Sequence, residues 1–370
     1  MARSRAVISL LNTPAGLFRW YEEFPLLIGA RLAAEGIDHV LGYKTYLPNT
    51  IVPMSPRLVA HDETDVPRER WVVDVLEPIA SRYEKVIVHT HSYGFQECAV
   101  WRITRGRSNR RWWATMHRTP RAPGALKTLR RRAMQALRIG YPDRIFGVSN
   151  ASASALRSMF LPSHVGVLHN GRLAAAEMNQ FPPRDTPRTA LFVGRLNREK
   201  GVWPLLEAGA ELSRQRADFH LIIVGDGPEA AAMRDWIADR KLESRIEMTG
   251  HQSDVQPYYA RADFLIVPTD PEQVSEGLPL VALEAKAYAL PALYSLSGGL
   301  PETQIENRTG LVIDPLDTAH IIAAANRLMD DRAGYERMRE EIRGERSRWS
   351  IDAMVDEYIR AYLAEFAKLR

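Results

Sequence analysis

The chain has 370 residues, 45% apolar and 25% charged, with one cysteine, Cys98, and a net charge of +4. That length exceeds what one hydrophobic core usually serves, so two domains are expected, and the composition excludes a disordered chain. A single cysteine excludes an internal disulfide and fits a reducing compartment, and no apolar run reaches the roughly 18 residues of a membrane span.

The first residues, Met1-Ala-Arg-Ser-Arg, lead straight into Ala6–Leu11. That run is too short for a signal-peptide core and reads as a first buried strand. The candidate strands are 7–11 within that run, 86–89, 112–116, 144–148 and 165–168, then 190–193, 219–224, 245–248, 264–267, 292–294 and 310–313. Most are near-continuous in Val, Ile, Leu and Phe, as strands covered on both faces are. Helical stretches fill the gaps, which predicts parallel, doubly wound α/β sheets.

The charge is uneven along the chain. Residues 1–180 hold 25 Lys and Arg against 14 Asp and Glu, and the remainder 24 against 31. Halves of opposite sign point to two domains with different partners. No acidic residue lies between Glu97 and Asp143. Within that stretch, Ala125–Arg138 places Leu126, Leu129, Ala133, Ala136 and Leu137 at helical spacing, with Lys127, Arg130, Arg131, Arg132 and Arg138 around them. This is the pattern of a basic interfacial helix, on the acceptor side and against an anionic membrane surface; a solvated helix binding a soluble anion is the alternative. Trp112 and Trp113, just before Thr115-Met-His117, read instead as part of a buried strand.

Residues 179–189 contain three prolines and no apolar periodicity, so the interdomain linker is placed there. The expected division is a first domain over 1–178 and a second over 190–349. The segment 350–370 is a helix, with Ser350 as N-cap and one apolar face of Ile351, Val355, Tyr358, Tyr362, Phe366 and Leu369. It packs on a domain that periodicity does not identify, the first being one option.

Three segments carry the chemistry. In Ser275-Glu-Gly-Leu-Pro-Leu-Val-Ala-Leu-Glu-Ala285, Pro279 suits the first helical position. The helix start beside Gly277, Leu278 and Leu280 then suits a phosphate, Glu284 can reach a ribose, and Glu276 lies before the helix. In Leu191-Phe-Val-Gly-Arg-Leu-Asn-Arg-Glu-Lys-Gly201, a strand ends, Gly194 permits a turn, and Arg195 and Lys200 project from the loop beyond it. Two cations there could neutralise a departing diphosphate, or they are solvated loop charges. Leu221-Ile-Ile-Val-Gly-Asp-Gly-Pro-Glu-Ala230 fits a dinucleotide fingerprint weakly, because Pro228 is unusual in that turn. Gly225 and Gly227 are read as a tight turn lining a nucleotide pocket.

Taken in order, these segments resemble the retaining GT-B glycosyltransferases of family four, the group 1 transferases. The further motifs are Gly250…Tyr258-Tyr…Ala262-Asp-Phe…Val267-Pro, Gly298-Gly-Leu-Pro-Glu302 and Gly310-Leu-Val-Ile-Asp-Pro315. The resemblance implies two Rossmann-like domains facing each other across a cleft. It implies that Glu276 contacts the donor sugar and Glu284 the ribose, that Arg195 and Lys200 hold the diphosphate, and that His251 lies on the donor side. The first half matches more faintly: Asn12–Gly16 keeps only Gly16 of a glycine-rich loop, and His117 resembles a strand-end histidine near the donor sugar. His89 and His91 also fall at a strand end, and any of the three histidines could be a satisfied core residue. One departure is Ala285-Lys-Ala-Tyr-Ala-Leu-Pro291, which lacks the glycine usual before that proline.

The expected function is transfer of a hexose-type sugar from a nucleotide diphosphate sugar to a glycan or lipid-linked acceptor, in the cytoplasm or peripherally at the inner membrane face. Retention, and closure of the domains to exclude water, are expected with it. No metal-ligand spacing occurs, so no metal and no cofactor beyond the donor are expected. The alternatives are a GT-B nucleotide-sugar epimerase, an NAD-dependent oxidoreductase resting on Gly225 and Gly227, and a basic nucleic-acid-binding protein using residues 102–138. The last is disfavoured.

Overall fold

The protein is described from a computed structural model over residues 5–11, 20–43, 58–60, 70, 72–91, 98–120, 124–137, 139–172 and 187–370. The chain divides into two compact units, one of residues 1–170 with 351–370 and the other of residues 171–350. Gly16 with its Asn12–Gly16 loop, Arg121, Arg138 and residues 179–186 of the expected linker lie outside the described residues.

Among the described residues, the first unit holds a seven-stranded parallel sheet. Its strands are β1 (Arg5–Leu11), β2 (Asp38–Tyr43), β3 (Leu58–Ala60), β4 (Lys85–His91), β5 (Arg110–Met116), β6 (Arg144–Gly147) and β7 (Val165–Val167), in the order β3-β2-β1-β4-β5-β6-β7. β1 is an inner strand: Ile8 is in register with Val40 on one side and Val88 on the other. These three residues pack with Val86, Leu76 and Trp112 in one core cluster. β2 and β3 were not expected. Asp38, His39 and Gly42 interrupt the apolar run of β2, yet both polar side chains are satisfied within the unit. Tyr83 OH donates to Asp38 Oδ2 (3.0 Å), and His39 Nε2 is hydrogen-bonded to Ser9 Oγ (2.8 Å).

The C-terminal helix Ile351–Phe366 belongs to this first unit. It buries Ile351, Val355, Tyr358, Tyr362 and Phe366, the face expected from their spacing. Arg31 pairs with Asp352 and Asp356, and Arg111 with Glu365.

The second unit holds a six-stranded parallel sheet of β8 (Thr189–Val193), β9 (His220–Val224), β10 (Ile246–Gly250), β11 (Phe264–Val267), β12 (Ala292–Tyr294) and β13 (Gly310–Val312). The order β10-β9-β8-β11-β12-β13 places a reversal of winding between β8 and β11. Loops leaving neighbouring strands at such a switch point diverge and open a crevice at their carboxyl ends. The two parallel α/β units are the Rossmann-like pair expected of the GT-B class.

The helix after β11 departs from expectation in one respect. It spans Leu280–Ala287, and Pro279 is its N-cap, with φ −68° and an extended ψ of 121°. The ring fixes φ but leaves ψ free, and the capping position engages the carbonyl rather than the missing N–H. The same helix ends with Ala289 N–H bonded to Lys286 O (3.1 Å) and Leu290 N–H to Ala285 O (3.0 Å). This double closure puts Ala289 at φ +52°, where glycine is the usual occupant. Lys241 holds the same place after the helix Ala230–Asp239, at φ +56°.

An L-residue in this left-handed region costs about 1 kcal/mol relative to glycine. Lys241 is exposed, so Lys241→Gly gives up no packing. It is expected to stabilise the protein by about 1 kcal/mol, a rise in Tm of roughly 2–4 °C by thermal denaturation. Ala289→Gly should gain less, because it also surrenders a buried methyl.

Candidate functional site

The second unit builds its site from two loops at the switch point. The loop after β8 runs from Gly194 to Gly201 and ends in a single turn of 3-10 helix, Arg198–Lys200. Gly201, at φ +68°, then starts the helix Val202–Gln215. A Cβ at Gly201 would lie 1.9 Å from Pro268 O, so only glycine lets this loop meet the chain leaving β11. A hydrogen bond from Asp270 N–H to Glu199 O (2.9 Å) ties the loops together.

That contact brings Lys200 to Glu276. Lys200 Nζ pairs with Glu276 Oε1, which also accepts from Thr269 Oγ1 (2.9 Å). Lys200 and Glu276 are both largely but incompletely buried, so a ligand can still reach them. The backbone of Glu276 is held as well. Its N–H donates to Ser297 Oγ (3.2 Å), and its carbonyl accepts from Gly299 N–H (2.9 Å). A Cβ at Gly298, φ +52°, would lie 2.1 Å from Glu276 O, which accounts for the first of the two glycines after β12. Arg195 stands exposed on the same loop as Lys200, with no ion-pair partner among the described residues.

Gly225 and Gly227 serve packing of loop on loop. A Cβ on Gly225 would lie 1.9 Å from Gly194 O, and one on Gly227 2.3 Å from Leu196 O. The close approach that a dinucleotide fingerprint reserves for a pyrophosphate is taken here by the chain's own backbone. His251 is exposed just after β10, at the carboxyl edge of the sheet.

Glu284 is nearly buried on the helix Leu280–Ala287 and does not join the Lys200 pair. Its Oε1 accepts from Arg172 Nε (2.9 Å) and its Oε2 from Tyr259 OH (2.8 Å). Burial, and then the neighbouring carboxylate, push the Tyr259 phenol well above its usual range, so it stays a donor. A carboxylate offers about four acceptor positions, and two remain for an incoming hydroxyl. Sequence reasoning missed Arg172 and Tyr259, though Tyr259 lies within the quoted Tyr258-Tyr259 motif. Gly277 and Leu278 are buried beneath the helix start, and Pro279 and Leu280 are half-buried.

In the first unit the strand-end histidines form one stacked array, in which His89 and His91 are buried and His117 is half-buried. His91 stacks on His89 (centroids 4.3 Å apart) and on His117 (5.6 Å). His89 has both ring nitrogens engaged, by Tyr362 OH (2.6 Å) and Thr115 Oγ1 (2.8 Å), and is a core residue. Burial lowers His89 to about 3, with His117 and His39 adding repulsion. Burial likewise lowers His117 to about 4 against an opposing hydrogen bond with Asn170, and carries His91 well below its usual value.

The basic residues divide. Lys127 and Arg130 are exposed, while Arg131 and Arg132 turn inward, which corrects their expected place on an outer acceptor surface. Arg132 Nη2 donates to Arg157 O (2.9 Å) and Ser158 O (3.1 Å), and the Arg131 guanidinium lies 5.7 Å from the Phe160 ring. The reason is the helix Asn150–Met159, whose C-terminal carbonyls attract cations. Among the described residues no cluster of His, Cys, Asp and Glu could hold a metal ion, and no helix is long and apolar enough to cross a membrane.

Residues 175–345 match the family described as "Glycosyl transferases group 1". The second unit therefore carries a group 1 glycosyl transferase domain. A glycogen synthase from Mycobacterium tuberculosis is 30% identical over 218 residues, which cover 55% of this chain and 50% of that protein. The chain spans about half the length of the curated relatives it matches. Solved structures extend the likeness to both units. A glycosyltransferase from Rickettsia africae superposes with a TM-score of 0.79 at 17% identity, covering 99% of this chain and 100% of that one. Anabaena HepE, solved with UDP and glucose, gives 0.73 at 15% identity, covering 97% and 99%. At these identities the structures show the fold, while the group 1 domain is carried by the sequence match.

Two outcomes follow from this geometry. Gly201→Ala should cost at least about 2 kcal/mol, because the left-handed φ and the contact with Pro268 O are both violated; a melt as high as the parent's would contradict the loop contact. The buried histidines make the first unit acid-labile. The fold holds their neutral forms, so the unfolded chain takes up protons first as pH drops. Their stabilisation is complete above about 6.5 and is lost as pH falls toward about 4 and below. Tm measured by circular dichroism should decline steadily through that window, and a flat profile would refute it.

Proposed function

We propose that the group 1 domain binds a nucleotide diphosphate sugar at the carboxyl ends of β8 and β11, and that the protein transfers a hexose-type sugar from it to a glycan or lipid-linked acceptor. The observation that carries this reading is the meeting of Lys200 and Glu276, from two loops, at the switch point of the sheet. The UDP and glucose named for Anabaena HepE support the donor class.

Lys200 and Arg195 neutralise charge on the departing diphosphate, which is what lowers the barrier to leaving. The start of the helix Leu280–Ala287 adds backbone N–H groups and its positive dipole end. Glu284 takes a ribose hydroxyl on its unused lone pairs, held in place by Arg172 and Tyr259. Glu276 orients Lys200 and receives sugar hydroxyls. Because Glu276 is engaged by Lys200 and Thr269, we favour same-face substitution within a tight ion pair, with retention, over a covalent intermediate on that carboxylate. Two protein cations perform the neutralisation, so the transfer is read as metal-independent. The reaction is placed on the cytoplasmic side.

A thermal-shift screen of UDP-, GDP- and ADP-sugars identifies the donor, because a ligand that binds only the native state raises Tm. With that donor, Lys200→Ala and Arg195→Ala should each lower kcat/KM by about tenfold or more, near 1.4 kcal/mol. Glu284→Ala should weaken donor binding by about 1.5–3 kcal/mol, and Glu276→Ala should lower kcat. Parental kinetics in folded Lys200 and Glu276 variants would remove the donor from this site. Sugar conversion without acceptor would mark an epimerase instead.

A further inference from the structure

The helix Ala125–Ala136 of the first unit is turned inside out. A surface helix ordinarily directs its apolar stripe to the core and its charges to water. Here Leu126, Leu129 and Leu137 are 82%, 67% and 69% exposed, and Ile139 follows them at the surface. Its inner face is polar. Arg132 holds the last carbonyls of the helix Asn150–Met159. Gln135 is buried, donating to Pro142 O and accepting from Leu161 N–H (2.8 Å). The inward residues fasten the helix by hydrogen bonds, so its leucines are not needed for packing and stand in water.

Leu126, Leu129, Arg130, Ala133 and Leu137 fall at the spacings that align on one helical face, and Lys127 flanks them. Exposing three leucines is unfavourable unless something apolar covers them, since each buried leucine is a substantial gain. The flanking cations restrict what that can be. A second copy would bring an identical basic face, and no acidic residue lies between Glu97 and Asp143 to answer it. A nucleic acid would satisfy the cations but not the leucines. An anionic bilayer satisfies both, because its phosphates lie directly above its acyl chains.

We infer that this helix is a membrane-docking element, laying Leu126, Leu129 and Leu137 into the acyl boundary of an anionic membrane while Lys127 and Arg130 meet lipid phosphates. Arg131 and Arg132 are its internal fasteners and make no lipid contact. The inference names a partner for the first unit and does not rest on the reaction proposed for the second.

The full chain is sedimented with phosphatidylcholine vesicles and with vesicles that also contain phosphatidylglycerol, at low and high salt. Binding should require phosphatidylglycerol and weaken with salt. The triple variant Leu126→Gln, Leu129→Gln, Leu137→Gln should bind roughly tenfold more weakly or worse at unchanged Tm. Lys127→Gln with Arg130→Gln should reduce binding to the phosphatidylcholine level. Arg132→Gln, compared at a temperature below its own lowered Tm, should bind as the parent does. Undiminished binding by the leucine variant, equal binding to both vesicle types, or no binding at low salt would each overturn the inference. So would a dimer in light scattering that the leucine variant disperses without any change in vesicle binding.

Discussion

Backbone pressed against backbone is the constraint on which the second unit's site depends. The loop after β8 touches the chain leaving β11 at Gly201 and the turn after β9 at Gly225 and Gly227, at separations that admit no Cβ. Hydrogen bonds run along the same seams, from Gly194 N–H to Val224 O (3.0 Å), Leu196 N–H to Asp226 O (2.9 Å) and Gly225 N–H to Gly250 O (2.8 Å). Three strand ends are thereby locked as one surface. Lys200, one residue before Gly201, inherits that rigidity, and so does Glu276 through Gly298 and Ser297. Electrostatic stabilisation of a leaving group depends on charges already in place, and a floppy cation would give back in reorganisation what it gained in attraction.

The two glutamates of the helix segment share a second feature: each is already paired with a cation, Glu276 with Lys200 and Glu284 with Arg172. A partly buried carboxylate left alone would be costly, and the pairing removes that cost while leaving lone pairs for hydroxyl donors. It also keeps the cations from collapsing onto other acids of this net-negative half. A diphosphate, with more charge than one carboxylate, can compete for Lys200 without dismantling the pair, since an ammonium has three donors. Arg195 differs in standing exposed; under the proposed function it would act through the approach of an anion as much as through contact.

Much of this was legible in the sequence, and the reason is uniform. Strands buried on both faces must be apolar along their length, so nearly all strands of the second unit appear as short Val, Ile and Leu runs between helical stretches. The spacing of the motif residues then placed Lys200, Arg195, Glu276 and Glu284 at strand ends or a helix start. What escaped was whatever depends on a partner distant in the chain. β2 carries Asp38 and His39, which Tyr83 and Ser9 answer across the fold. Arg172 and Tyr259 reach Glu284 from positions 112 and 25 residues away. The segment Ala285–Pro291 was visible as lacking a glycine, but the left-handed φ of Ala289 follows from the two hydrogen bonds that close the helix.

The two helices most readily found by periodicity show what periodicity cannot decide. Ile351–Phe366 and Ala125–Ala136 each present a regular apolar stripe. The first turns it inward, burying Tyr358 and Tyr362 against the histidine array, and the second turns it outward. Spacing fixes which residues share a face, but the direction of that face is set by what the opposite side can bind. Opposite the leucines of Ala125–Ala136 lie Arg131, Arg132 and Gln135, which find carbonyls, a thioether and an aromatic ring in a shallow polar seat. Opposite the tyrosines of Ile351–Phe366 lie Asp352 and Asp356, which are content at the surface beside Arg31. A helix rotates until its most demanding polar groups are satisfied, and where those groups are arginines facing helix-end carbonyls, the apolar stripe is left for another solvent.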